Sequence, residues 1–228
     1  MKAFTLVFAL VFAAPALAAD PASKSAAYHQ VGGVTFEEVI PTATEIASGY
    51  LEAPGLETLS ALDLASVDWN QMILIGEKII ELVKRGTPVV NIKRNGVSVL
   101  PLGSQAWPQL AGWQVPVTRA YNLAVKNALG VKVVDLRLKV SGMWGGSLEG
   151  RGKYLANVQI VPVAVKVLWG WNLDLWTENR DPVNAGTSAD PIAGLGFDVR
   201  YKVSTALNEF NGTQDYYLTG DGKILELE

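Results

Sequence analysis

The fold is decided by residues 131–175, VKVVDLRLKVSGMWGGSLEGRGKYLANVQIVPVAVKVLWGWNLDL. Over residues 131–140, apolar and polar side chains alternate, which is the period of a β-strand with one buried face and one solvated face. Residues 153–161 repeat this pattern, and residues 163–175 follow as a third predicted strand. The glycine-rich residues 142–152 predict a hairpin turn that needs positive φ at several positions.

A helix is predicted over residues 69–85, upstream of these strands. Asp68 can cap its first turn, Gln71 follows three residues later, and apolar residues recur at helical spacing inside the segment. Gly86 and Pro88 end the pattern. The wide apolar stripe predicts an amphipathic helix that packs on a sheet.

Further strands are predicted on both sides of this region. Asn95-Gly96 suits a tight turn and predicts a hairpin over residues 88–101. Residues 115–128 suit either a strand or a helix, and a strand is favoured. Three more strands close the chain, at residues 195–205, 213–219 and 223–227. We therefore expect a mainly β chain: an antiparallel β-sandwich-like domain of about seven to eight strands with one amphipathic helix packed on it.

The first residues indicate export. Residues 1–18, MKAFTLVFALVFAAPALA, contain one lysine, an apolar run and a small-residue end, as a secretory signal peptide cleaved near Ala18 would. The apolar run, which Pro15 interrupts, is too short for a retained transmembrane anchor. We therefore expect a periplasmic or secreted protein.

The remainder predicts one globular domain. Residues 19–33 are expected to be a flexible leader, and residues 34–228 the domain, with a helical part at 34–86 and a β part at 87–228. The formal charge of −3 disfavours nucleic acid as a partner. The absence of cysteine excludes a disulfide framework, thiolate catalysis and a zinc–thiolate site.

Two catalytic motifs near the glycine-rich turn fail on spacing. Lys153 ends the glycine-rich run, as the lysine of a phosphate-binding loop does, but Tyr154 stands where serine or threonine is required. Ser147 lacks the second glycine of a nucleophile elbow, because Glu149 occupies that position. The only histidine, His29, falls in the leader, so neither a Ser-His-Asp hydrolase nor a histidine metal centre has its residues. We expect no cofactor and no metal, and favour a non-enzymatic chain.

Tryptophans are the main positive signal for binding. Trp144 and Trp176 are candidates for an exposed surface, since a flat ring offers a large contact area at a small cost in conformational entropy. Trp169 and Trp171 lie two apart on a predicted strand, on a face that leucines continue, which favours the core for both.

Acidic residues complete the candidate binding set. Glu178, Asp181 and Asp190 lie in or beside residues 179–194, a polar segment of a length uncommon for a loop without function. Paired acids could also serve a glycosidase, and these aspartates could offer oxygen atoms to calcium, although no calcium-loop pattern occurs. We expect this segment, Trp144 and Trp176 to meet at one end of the sandwich.

The expected function follows from these features. We expect an exported, non-enzymatic β-sandwich with a binding or structural role in the cell envelope, where a protein or a glycan would be its partner. A carboxylate-dependent, glycosidase-like hydrolase is the first alternative. A small outer-membrane β-barrel is the second, because alternating strands of about ten residues with aromatic ends also suit that class.

Overall fold

The computed structural model describes residues 21–47, 62–85, 90–94 and 96–227. Two short helices, α1 and α2, span Pro21–Tyr28 and Ala43–Ala47. No helix within the described ranges is long and apolar enough to cross a membrane. The strands are β1 Val31–Val39, β2 Asp68–Ile75, β3 Ile80–Arg85, β4 Val90–Arg94, β5 Val97–Leu102, β6 Gln114–Asn127, β7 Lys132–Leu148, β8 Arg151–Val167, β9 Asn172–Asn179, β10 Val183–Asn184, β11 Ala193–Ser204, β12 Glu209–Thr219 and β13 Ile224–Leu227.

These strands form two antiparallel sheets that pack face to face. The six-stranded sheet has the order β1-β6-β7-β8-β5-β2. The seven-stranded sheet has the order β13-β12-β11-β9-β3-β4, with the short β10 beside β11. This arrangement confirms the predicted β-sandwich-like domain, although the described strands outnumber the prediction.

The core lies between the two sheets and consists of alternate residues from each strand. The alternation predicted for residues 131–140 is confirmed, because the apolar positions of β7 point inward and their polar neighbours point outward. Alternate positions of β9 and β11 face them from the other sheet. Fully buried residues on these three strands include Val134, Leu136, Leu138, Val140, Leu173, Val199 and Val203.

The hairpin of β7 and β8 is confirmed, but its turn is much shorter than predicted. β7 continues through most of the glycine-rich residues, so that only Glu149 and Gly150 form the turn. Their φ angles of 51° and 73° are those of a two-residue turn whose twist matches that of its strands. Gly146 is not part of the turn. It allows the Trp113 ring to pack closely against β7, since a Cβ at this position would lie 2.3 Å from the ring.

The helix predicted over residues 69–85 is wrong, because this segment forms β2 and β3, which belong to different sheets. Isoleucine, leucine and valine are so dense here that their spacing fits both periods, and β-branched residues favour strands. Gly76, with a φ of 104°, separates the two strands. The Asp68 carboxylate accepts hydrogen bonds from the N–H groups of Asn70 and Gln71. These bonds stabilise a bulge at the start of β2 rather than a helix cap.

The expected helical part at residues 34–86 is therefore mostly strand in its described portions, with α2 as the only α-helix there. The hairpin predicted over residues 88–101 is also wrong. β4 pairs with β3 in the seven-stranded sheet, whereas β5 pairs with β2 and β8 in the six-stranded sheet. The strands on either side of Asn95-Gly96 thus belong to different sheets and are not paired with each other.

The structure confirms some of the remaining predictions and not others. The strand favoured for residues 115–128 is confirmed as β6. The single strand predicted over residues 163–175 is wrong, since β8 ends at Val167 and β9 begins at Asn172. The expected leader contains α1 and the start of β1, which pairs with β6. The predicted signal peptide lies outside the described residues.

The turn between β8 and β9 gives a test of the core. Trp171 is fully buried, whereas Trp169 is 79% exposed. We expect Trp171→Ala to lower the free energy of unfolding by about 3–5 kcal/mol, because it leaves a large cavity. We expect Trp169→Ala to change it by less than about 0.5 kcal/mol, because its ring lies in solvent. Urea unfolding followed by circular dichroism measures both, and equal losses would contradict this assignment.

Candidate functional site

Trp144 lies on β7, half-buried at one end of the sandwich. Its indole N–H donates a hydrogen bond to the Val115 carbonyl at 3.0 Å. Its ring covers Gly222, where a Cβ would lie 2.7 Å from the ring. The packing of Trp144 therefore depends on a glycine in the turn between β12 and β13.

The loop that carries Asp190 reaches the same end. The Asn184 side chain accepts hydrogen bonds from the N–H groups of Gly186 and Ile192, at 2.9 and 3.1 Å, and so holds the loop closed. The Pro191 carbonyl accepts a hydrogen bond from the N–H of Lys153 near Trp144. Asp190 itself is exposed, as is Asp181 between β9 and β10.

Trp176 and Glu178 lie elsewhere, on the outer face of the seven-stranded sheet. Arg200 of β11 and Glu81 of β3 are the cross-strand neighbours of Trp176. Glu178 forms an ion pair with Arg200 at 2.8 Å. The structure therefore brings Trp144 and the Asp190 loop together, but places Trp176 and Glu178 on a different surface.

Two adjoining depressions follow β3 and β9, from the turn before β9 onto this outer face. One depression, of ≈ 410 Å³, is lined by Trp169, Asn172 and Thr205 among others. A second, of ≈ 240 Å³, is lined by Trp176, and Arg85 lines both. We call this surface the tryptophan groove and define it by Lys78, Glu81, Arg85, Trp169, Asp174 and Trp176.

The turn between β8 and β9 holds Trp169 at one end of the groove. The N–H of Trp171 donates to the Leu168 carbonyl at 3.2 Å and closes the turn. Gly170 has a φ of 81°, and a Cβ on it would lie 2.9 Å from Cε1 of His29. The Tyr28 hydroxyl donates to the Trp169 carbonyl at 3.0 Å. The last residue of α1 and the histidine after it thus fix the backbone that carries the exposed ring.

The charges in the groove are largely balanced by one another. Arg85 forms an ion pair with Asp174 between the two tryptophans, and Lys78 lies 3.9 Å from Glu81. Such a surface offers flat rings for stacking, together with guanidinium and carboxylate groups for hydrogen bonds. The described residues contain no group of three or more His, Asp or Glu side chains able to hold a metal ion.

Sequence reasoning missed Arg85 as a groove residue and assigned Trp169 to the core. Gly170 between the two tryptophans was the available signal, since an isolated glycine in a strand pattern often marks a break. A turn at Gly170 separates the orientations of Trp169 and Trp171. Arg85 could not be found in this way, because its partner Asp174 is 89 positions away in the chain.

A second polar cluster lies on the outer face of the six-stranded sheet. Glu45 of α2 is buried and accepts hydrogen bonds from Nε and Nη2 of Arg137, at 2.6 and 3.0 Å. Its carboxylate also accepts from the N–H of Thr42, while the Thr42 hydroxyl accepts from the N–H of Glu45, which is a capping box. Lys139, also buried, donates to the Glu45 carbonyl at 2.5 Å. These contacts anchor α2 on the sheet.

Acid should weaken this anchor. The Arg137 guanidinium, with the Thr42 hydrogen bonds, lowers the pKa of Glu45 from 4.5 to about 2. A carboxylate with a lowered folded-state pKa stabilises the fold above its unfolded-state pKa, and this contribution is lost as the pH falls between those two values. We expect the unfolding free energy of the wild type to fall over this window. Glu45→Gln should reduce stability at neutral pH and show a shallower fall.

The control for this experiment is Glu37→Gln, which changes an exposed glutamate on β1 that has no ion pair among the described residues. Denaturant unfolding at a series of pH values measures the three proteins. An acid-limb slope in Glu45→Gln equal to that of the wild type would show that the ion pair does not carry this stability.

Comparison of the chain with protein-family models, with curated proteins and with solved structures gives no match.

Proposed function

We propose that this chain is an exported, non-enzymatic β-sandwich that binds a glycan of the cell envelope in the tryptophan groove. The observation that carries the proposal is a pair of adjoining depressions that share Arg85. Trp169, in the turn before β9, lines the first, and Trp176, on the outer face of β9, lines the second together with the Arg85–Asp174 ion pair. The sequence pattern of residues 1–18 supports export.

The chemistry of the groove favours a sugar chain over other ligands. Sugar rings have an apolar face that stacks on an indole, and they have hydroxyl groups that hydrogen-bond to planar charged side chains. Arg85 and Asp174 already hold each other in place, so little side-chain entropy is lost when a hydroxyl joins them.

The shape of the groove favours a chain over a single sugar. The two depressions share Arg85, and a third, of ≈ 260 Å³, shares Lys78 and Glu81 with the second. Trp176 is the fifth residue of β9, so that roughly 13 Å of strand separates it from Asn172 beside Trp169, at about 3.3 Å per residue. A ligand that touches both rings must therefore be extended.

Glycan retention tests the proposal. The purified protein is mixed with peptidoglycan sacculi and, separately, with cellulose, and the bound fraction is measured by sedimentation. We expect the wild type to bind at least one of these polysaccharides. Trp176→Ala and Arg85→Ala should each weaken that binding by about tenfold, as the loss of a central aromatic or arginine contact does.

Arg119→Ala is the matched control, because Arg119 is a similarly exposed arginine that forms an ion pair with Glu38 on the six-stranded sheet. Its binding should equal that of the wild type. The proposal is wrong if neither polysaccharide retains the protein, or if Arg119→Ala loses as much binding as Arg85→Ala.

The hydrolase alternative stays a prediction and can be tested on the same material. A glycosidase requires two acids that act on one bond, whereas Glu178 is paired with Arg200 and Asp181 is exposed on a loop. We expect no release of reducing sugar from either polysaccharide by the wild type. Release that disappears in both Glu178→Gln and Asp181→Asn would replace the binding proposal by a catalytic one.

A further inference from the structure

One end of the sandwich carries large exposed apolar side chains on three neighbouring turns. The turn between β6 and β7 exposes Leu129 and Val131, which are 51% and 43% accessible. The turn between β8 and β9 exposes Trp169 at 79%, and the turn between β11 and β12 exposes Leu207 at 66%. We call this surface the apolar end and define it by these four residues.

Tyr28, the last residue of α1, and His29, which follows it, tie the three turns together. Asn127, at the end of β6, donates to the Tyr28 carbonyl at 3.2 Å. The Tyr28 hydroxyl reaches the Trp169 carbonyl at 3.0 Å, and the Asn208 side chain donates to the His29 carbonyl at 3.1 Å. Because all three turns bond to one short segment, their apolar tips are held in one arrangement before any partner binds.

Lysines flank the apolar end on the six-stranded sheet. Lys126 and Lys132 are cross-strand neighbours on β6 and β7. Asp135 lies 3.3 Å from Lys132 and opposite Lys166 of β8. Lys132 and Lys166 thus lie beside a single carboxylate, with Lys126 next to Lys132, although the whole chain has a net charge of −3. This end is therefore locally basic on an acidic chain.

We propose that the apolar end docks on the surface of an anionic lipid bilayer. Leu129, Trp169 and Leu207 enter the boundary between headgroups and acyl chains, where exposed apolar area is removed from water. The ring of Trp169 suits this layer because an indole combines an apolar body with a polar N–H. The three lysines then face the lipid phosphates, and each adds attraction near a negatively charged surface.

The combination of features selects a bilayer over a protein partner. The apolar residues stand on three separate turns, so each can enter a fluid layer. The basic residues lie beside the apolar tips and not among them. The lysines can therefore meet the lipid phosphates while the tips reach the acyl chains.

Vesicle sedimentation tests this inference separately from glycan binding. The purified protein is mixed with vesicles of phosphatidylcholine, with and without phosphatidylglycerol. The test variant is Leu129→Ser/Leu207→Ser, because neither leucine lines the tryptophan groove. The control is Val115→Ser/Val183→Ser, which removes apolar side chains of similar exposure, 66% and 48%, at the opposite end.

We expect the wild type and the control to bind vesicles that contain phosphatidylglycerol and to bind neutral vesicles weakly. Leu129→Ser/Leu207→Ser should bind at least about tenfold more weakly, given the apolar area lost. Lys126→Glu/Lys166→Glu should lose a comparable amount, and added salt should weaken wild-type binding. All four proteins should bind the retained polysaccharide equally.

Several results would overturn the inference. It fails if the wild type does not bind anionic vesicles, or if the control loses as much binding as the leucine variant. It also fails if sedimentation velocity shows a wild-type dimer that Leu129→Ser/Leu207→Ser dissociates, because the apolar end would then join two copies of the chain. Loss of glycan retention with vesicle binding intact would reject the proposed function alone.

Discussion

The sandwich depends on the pairing of β7 with β8, two strands of 17 residues each at the centre of the six-stranded sheet. Their register decides which residues face inward. A slip of one residue would turn Val134 and its alternate neighbours to the outside and would bring Lys139 into the core. With the observed register, the inner face is continuously apolar and requires a second sheet to cover it. The seven-stranded sheet supplies that cover.

The outer faces of the two sheets differ, and this difference limits where a ligand can bind. On the six-stranded sheet, α2 lies over Lys139 and is anchored through Glu45 and Arg137. On the seven-stranded sheet, the strip over β3 and β9 is open and carries the tryptophan groove. The outer face of the six-stranded sheet is thus covered over Lys139, whereas the outer face of the seven-stranded sheet is open over β3 and β9.

The two proposed surfaces meet at Trp169, which ends the groove and belongs to the apolar end. Because β9 runs along the sandwich, the groove leads away from the apolar end toward the opposite end. If the apolar end rests on a bilayer, the groove points away from the membrane surface and is accessible from the space next to the membrane. One molecule can then contact a sugar chain and a lipid surface at the same time. The two surfaces share Trp169 and otherwise consist of different side chains.

The sequence by itself determined the fold class, the inward-facing residues of β7 and the hairpin of β7 and β8. Each of these depends on local alternation and on glycine at positive φ, which neighbouring residues specify. Only the tertiary structure decided that residues 69–85 contain two strands in different sheets. The dense apolar residues fit the period of a helix as well as that of a strand, and only pairing with a partner strand selects the second. It also decided the candidate sites. Arg85 meets Asp174, and Leu129 lies at the same end as Trp169 and Leu207, through strand order and turns that no local pattern encodes.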